Sequence, residues 1–298
     1  MSIVDEIQQF LSSHTVQSLI FNPIGDIAAV DRSALLKFIK QAMVEQPSHA
    51  VKAIYSMGNI VSRPYRFYAI IGSLDRGILL NVDPDRSWMI AIDYRATEEQ
   101  YQYFQQLLEG LSEVFFFSSG ARIDAIASKL FATGKFDKTL QNTVYRLESL
   151  DSALDTACNP EATVILHPTI QTAYDKVRSF YKYQEPNFDD IPNTHVVLEL
   201  DDVIVAGARS NEEFENYAVV GGVHTMIDQR HQKLGFTVCY HLIEQLKTNF
   251  DHIYLETDVD NFPAIKIYEK LGFVKIGSSA FYERGVDMIS GIIGDRNY

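Results

Sequence analysis

The chain has 298 residues and a mass of 33.8 kDa, long for one small α/β domain and comfortable for two. Its net charge is −13, its pI is about 5.0 and it holds no basic cluster, which excludes nucleic acid and anionic membranes as expected partners. The two cysteines, Cys158 and Cys239, form no metal-ligand spacing and fit a reducing compartment rather than a disulfide framework. No run approaches the roughly 20 apolar residues of a membrane span. The opening MSIVDEIQQFL carries Asp5 and Glu6 and no basic stretch, so neither a secretory signal nor a transit peptide is expected. A cytoplasmic protein without a metal is the expectation.

An amphipathic helix is predicted first, with Ile3, Ile7, Phe10 and Leu11 on one face. A second spans Asp31 to Glu45, with Ser33 near its start and Leu35, Leu36, Ile39 and Met43 facing together. Strands are predicted over Tyr65 to Gly72, Gly77 to Val82 and Ser87 to Asp93, parted by the turn-rich SLDRG and DPDR. Thr97 and Gln100 have capping-box spacing and open a helix to about Leu111. The strand Val114 to Ser118 and the helix Ile123 to Phe131 follow. The polar ESLDSALDTACNPEA, Glu148 to Ala162, marks a boundary between expected domains 1–150 and 151–298, although its LDSAL segment could be a short helix.

Beyond it come a strand (Thr163 to Leu166), a helix (Thr169 to about Tyr183) and the polar turn EPNFDDIPN. Strands His195 to Leu200 and Val203 to Ser210 join tightly at Asp201-Asp202. The apolar strand Tyr217 to Thr225 and a helix from about Phe236 to Thr248 come next. A strand pair, Phe273 to Ile276 and Ser279 to Glu283, closes the list of elements. The class is α/β (α+β): a mixed, mostly antiparallel sheet flanked by helices. Leu107 to Leu130 parallels Leu242 to Leu271 as helix, strand, turn and helix ending in Lys-Leu. This reads either as two related halves or as the ordinary likeness of two α/β units.

The segment IYLETDVDNFPAIKIYEKLGF, Ile253 to Phe273, runs strand, Asn-turn, helix and Gly-Phe. It resembles the C-terminal half of the GCN5-related N-acetyltransferase (GNAT) family, and the likeness extends over Glu161 to Glu283. The resemblance implies a GNAT fold, acyl transfer from acetyl-CoA or another acyl-CoA to a small-molecule or peptide amine, and a monomer or homodimer. TMIDQRHQKLGF resembles the family's pyrophosphate loop, with Arg230, His231, Gln232, Lys233, Leu234, Gly235 and Phe236 between a strand and a helix. Lys233 stands where the family usually has Gly, a residue suited to φ > 0. The resemblance implies coenzyme contacts from Val223 and Thr225 at the strand end and from Asn261, which also reads as an Asx-turn before Pro263. It implies Tyr268 as general acid, although a core Tyr would have the same pattern.

The general base is open. Glu215, His224 and Glu256 are candidates, His224 and Glu256 being retained beside Tyr268 as the catalytic set. The whole chain also resembles the glycine N-acyltransferase-like group, with a catalytically empty N-terminal half. The alternative is a GNAT-fold module that binds coenzyme A without turnover.

Overall fold

The computed structural model describes residues 2–14, 17–21, 29–62, 66–83, 85–166, 179–180 and 194–286. They divide into two units, one built from residues up to Val144 with those from Ile276 onward, the other from Tyr145–Lys275.

In the first unit, α1 (Ile3–Ser13) begins at Ser2, whose side chain and that of Asp5 form a capping box. It buries Ile3, Ile7 and Leu11, one face at helical spacing. β1 (Ser18–Phe21), α2 (Ala29–Glu45), α3 (Ala50–Ser62), β2 (Phe67–Ser73), β3 (Arg76–Asp83) and β4 (Trp88–Tyr94) follow. Then come α4 (Glu98–Gly110), β5 (Val114–Ser119), α5 (Ala121–Ala132) and β6 (Lys138–Leu147). Thr97 and Gln100 make the predicted capping box at the start of α4. With β12 (Phe273–Arg284), the strand order is β1-β2-β3-β4-β5-β12, antiparallel except where α4 carries the chain from β4 to a parallel β5. Phe67, Ile78, Leu80, Phe104, Phe116 and Tyr282 sit in its buried core.

The second unit holds β7 (Thr163–Leu166), β8 (His195–Leu200), β9 (Val203–Phe214), β10 (Tyr217–Thr225), α6 (Leu234–Leu246), β11 (His252–Asp258) and α7 (Phe262–Lys270). Its order is β7-β8-β9-β10-β11, again antiparallel except for one pair, β10 and β11, joined through α6. Asp201 and Asp202 make the β8–β9 turn with φ of +49° and +64°, the conformation of a two-residue I′ hairpin. α6 packs Leu234, Val238, Leu242 and Leu246 into a core with Ala218, Val220, Ile253 and Leu255.

Both units repeat one succession: an antiparallel meander, a helix, a parallel strand and a second helix. The likeness between Leu107–Leu130 and Leu242–Leu271 is therefore one of structure, α4-β5-α5 against α6-β11-α7.

Four elements differ from the sequence expectation. α3, β1 and β6 were not foreseen. The expected closing strand pair is one strand, β12 (Phe273–Arg284). Gly277 suggests a turn in the sequence, but a Cβ there would collide with Ser48, so the glycine serves a close approach within an unbroken strand. Residues Ser279–Arg284 of β12 pair with β5 in the first unit, whereas the expected division kept them with 151–298. The expected helix Thr169 to Tyr183 lies outside the described residues except at 179–180, which are helical, and the EPNFDDIPN turn lies outside them altogether.

Candidate acyl-coenzyme site

The parallel β10–β11 ladder runs from Tyr217↔His252 to Val220↔Leu255, while β10 continues to Thr225. The β9–β10 register also shifts around Val219/Val220 and Gly221/His224. The bulge depends on two glycines. Gly222 has φ of +53°, and a Cβ on Gly221 would collide with the Asn211 side chain. Past Val220 the two strands no longer share a ladder, and Val223 and Thr225 line a cleft of about 590 Å³.

The cleft's second wall is the loop into α6. His231 and Lys233 have φ of +65° and +62°, and Lys233 is the N-cap residue without a side-chain cap bond. A lysine thus adopts the left-handed conformation that glycine suits best. The polypeptide costs about 1 kcal/mol of strain for keeping a cation there. Replacing Lys233 with Gly is expected to hold stability level or raise it by up to about 1 kcal/mol, and Lys233→Val to lower it by about 1–2 kcal/mol. Thermal melts followed by circular dichroism measure both.

The α6 N-terminus presents the partial positive charge of the helix dipole to the cleft, through Leu234, Gly235 and Phe236. A Cβ on Gly235 would meet only Ile267 Cδ1 and Thr225 Oγ1, both at 3.4 Å. Asn159 braces this loop from outside. Its N–H donates to Thr237 Oγ1 (2.8 Å) and its Nδ2 to the Gln232 carbonyl (3.0 Å). Gln232 turns to Gln229, with Nε2 donating at 3.0 Å, and does not line the cleft.

α7 forms the third wall. Asn261 Oδ1 accepts from the Ala264 N–H at 3.3 Å and caps the helix. Asn261 is thus the helix N-cap and also part of the cleft lining. Lys266 and Lys270, four residues apart on one face, line it too, and Lys270 Nζ stands 4.6 Å from the Phe236 ring centroid. Neither was singled out from the sequence; the i, i+4 lysine pair following Asn261 was the available signal. The described lining includes Arg230, His231, Lys233, Lys266 and Lys270 and no Asp or Glu, in a chain of net charge −13.

The structure thus brings together Val223, Thr225, Arg230, His231, Lys233, Leu234, Gly235, Phe236 and Asn261. It does not bring the three catalytic candidates to the cleft wall. Tyr268 is 8 % exposed and packs edge-on against Phe273, with ring centroids 6.0 Å apart. His224 lies between Val223 and Thr225, so strand alternation turns it to the opposite face of β10. Glu256 is half-buried on β11 beyond the last ladder pair. Glu215, at φ of +50° in the β9–β10 turn, lies beyond the far end of β10, whose eight steps from Tyr217 to Thr225 span roughly 26 Å at strand rise.

The first unit has the same divergence, and its own side chains fill it. The β4–β5 ladder ends at Ile90↔Phe117, and β4 continues to Tyr94. His49 enters beyond that point, with Nε2 3.2 Å from Asp93 Oδ1 and Nδ1 2.8 Å from Ser119 Oγ. Asp93 Oδ2 accepts from Tyr101 OH (2.6 Å) and Gln46 Nε2 (2.8 Å). A Cβ on Gly120, the N-cap of α5, would come within 2.5 Å of His49 Cε1. The order Ser119, His49, Asp93 is that of a nucleophilic relay, but His49 and Ser119 are fully buried and Asp93 is 1 % exposed. Here the group is a plug at the helix N-terminus.

Residues 163–273 match the model of the acetyltransferase (GNAT) family. Solved structures with the same fold include a tandem GNAT protein from the clavulanic acid biosynthesis pathway, 10 % identical with a TM-score of 0.59 over 90 % of this chain and 98 % of that one. A GCN5-related N-acetyltransferase from Sphaerobacter thermophilus is 13 % identical with a TM-score of 0.54, covering 91 % and 97 %. An acetyltransferase from the GNAT family of Colwellia psychrerythraea is 11 % identical with a TM-score of 0.53, covering 90 % and 99 %. No curated protein matches the sequence. Among the described residues no helix is long and apolar enough to cross a membrane.

Proposed function

We propose that this chain, which carries a GNAT-family acetyltransferase domain over residues 163–273, holds acyl-CoA in the β10–α6–α7 cleft and passes the acyl group, acetyl first, to an amine. The observation that carries this reading is the convergence of an uncapped helix N-terminus with Arg230, Lys233, Lys266 and Lys270, and no carboxylate among the described lining residues. That combination suits a polyanion with an extended arm better than a neutral ligand.

Bound acyl-CoA supplies the activated thioester carbonyl. The α6 N-terminus, Arg230 and Lys233 hold its pyrophosphate, and Lys266 and Lys270 face anionic groups from the α7 wall. The stretch of β10 past Val220 offers backbone groups to the amide-bearing arm, and an N–H near Val223 to the developing oxyanion. Tyr268 protonates the leaving thiolate after a movement that turns its hydroxyl outward from the core. The acceptor arrives as an ammonium and loses a proton before attack, with Glu256 as the carboxylate beyond the end of the ladder.

A second reading, coenzyme binding without turnover, is favoured by one observation. None of Tyr268, His224 and Glu256 lines the cleft. Acetyl-CoA should raise Tm with concentration as mass action requires, and a panel of amines should release free thiol together with acylated amine. Tyr268→Phe is expected to lower kcat by about 100-fold with little change in coenzyme affinity. Stabilisation without thiol release on any amine would favour the binding module. Failure of both would sink both readings.

A further inference from the structure

Asp155, Cys158 and His241 are scattered in sequence terms, yet their ligand atoms all lie within 4.8 Å of one another. Asp155 belongs to the short 3₁₀-helix Ser152–Ala157, and Cys158 is its C-cap residue. His241 projects from α6 toward them. We propose that these three side chains form a zinc site that staples the 152–159 segment to α6, directly behind the coenzyme loop.

Four observations support it. First, the donor set is one carboxylate, one thiolate and one imidazole, the mixture a borderline-soft, tetrahedral ion takes, with a fourth position for water. Zinc–ligand bonds of about 2.0–2.3 Å put tetrahedral ligands about 3.5 Å apart, so atoms now within 4.8 Å of one another need to approach by roughly 1.3 Å at most to close the site. Second, the imidazole already has an outer partner. His241 Nδ1 lies 3.3 Å from Glu244 Oε2, a carboxylate–histidine pair that orients the ring, and Nε2 is the nitrogen we assign to the metal. Third, Glu244 is itself held, since its Oε1 accepts from Tyr240 OH at 3.1 Å. Fourth, the segment carrying two of the ligands is fixed against the same helix face. The Asn159 N–H donates to Thr237 Oγ1 (2.8 Å), and Tyr240 OH, whose one proton is shared with Glu244, lies 3.4 Å from the Ser152 carbonyl.

The consequence follows from place. Ala157, between the two ligands of the segment, lines the cleft, and Asn159 holds the Gln232 carbonyl. A metal that locks this segment to α6 therefore stiffens the outer support of the loop from Arg230 to Gly235. The binding site is made of His241, whose ring faces Glu244, and of Asp155 and Cys158, and none of these lines the coenzyme cleft. Its existence is independent of whether acyl transfer occurs.

The test uses full-length protein stripped with a chelator and titrated with Co²⁺, then with Zn²⁺ in competition. The expected result is one Co²⁺ per chain, with a thiolate-to-cobalt charge-transfer band that zinc abolishes. Cys158→Ser and His241→Ala should lose the band, while Cys239→Ser, at the buried cysteine remote from the cluster, should keep it. Glu244→Gln should bind 10–100-fold more weakly without loss of the fold, which keeps the proposal open to refutation if the ligand variants misfold. A wild-type protein with no charge-transfer band, or a band that survives Cys158→Ser, overturns the proposal. Zinc should also raise Tm of the wild type and not of Cys158→Ser; equal shifts in both would count against the site.

Discussion

Gly235→Asp is expected to weaken acetyl-CoA binding by at least about 100-fold while leaving the fold intact, measured by calorimetric titration beside a thermal melt. The two effects have opposite signs for one physical reason. Gly235 sits in the first turn of α6, where an acidic side chain complements the helix dipole and replaces a poor helix former, so the fold gains a few tenths of a kcal/mol to about 1 kcal/mol. A Cβ there meets neighbours only at ordinary contact distance. A bound pyrophosphate, by contrast, would face a carboxylate in place of bare N–H groups. Loss of about 3 kcal/mol corresponds to roughly 100-fold, within reach of one like charge placed among hydrogen-bond donors. Unchanged affinity would remove the α6 N-terminus from the site.

Asp93→Asn is expected to destabilise the first unit by about 3 kcal/mol, the cost of removing a buried carboxylate from its contacts with His49, Tyr101 and Gln46. Burial raises the Asp93 carboxyl, but the hydrogen bond and charge of His49, then the bonds from Tyr101 and Gln46, outweigh it and leave the group below the ordinary carboxylate range. A depressed carboxylate adds stability above its unfolded value near 4 and loses it as pH falls through the lower folded value. The wild type should therefore lose stability below about pH 4, and Asp93→Asn should show a flatter acid limb. Burial, then the neighbouring Asp93, raises Tyr101 well above its ordinary range, so no alkaline transition from Tyr101 is expected near neutrality. Acetyl-CoA affinity should be unchanged in this variant, because Asp93 belongs to the unit without the cleft. A variant as stable as the wild type would show that the plug is not structurally important.

Much of this was legible in the residues. Asn261, with Pro263 behind it and Ala264 three residues on, marks a helix start that also faces a cleft, and the Asn261-to-Gly272 run fixed the α7 frame. Thr97 with Gln100 gave a capping box that the fold contains. What escaped depends on the third dimension. Asp155, Cys158 and His241 are brought together only by packing of a short 3₁₀-helix on α6. Asn159 braces the Gln232 carbonyl across a long sequence separation that no periodicity encodes. The sequence shows Lys233 as a departure from a glycine pattern, but only its φ of +62° shows that the backbone keeps the glycine geometry. The family resemblance carried the expectation of a catalytically empty N-terminal half. That His49 and Gln46, far upstream, fill the space at Gly120 could not be read from Leu107–Leu130. β12 was read as a strand pair, Phe273 to Ile276 and Ser279 to Glu283, where the fold has one unbroken strand.

Hydrogen exchange of the full chain with and without acetyl-CoA tests the central claim most directly. The claim is one coenzyme site, on the second unit, at the diverging strands. The account predicts slowed exchange over residues 223–236 and 261–270 and no change over 119–126, where the plug occupies the equivalent helix start. Protection that appears at 119–126, or none at 230–236 under saturating acetyl-CoA, would contradict it.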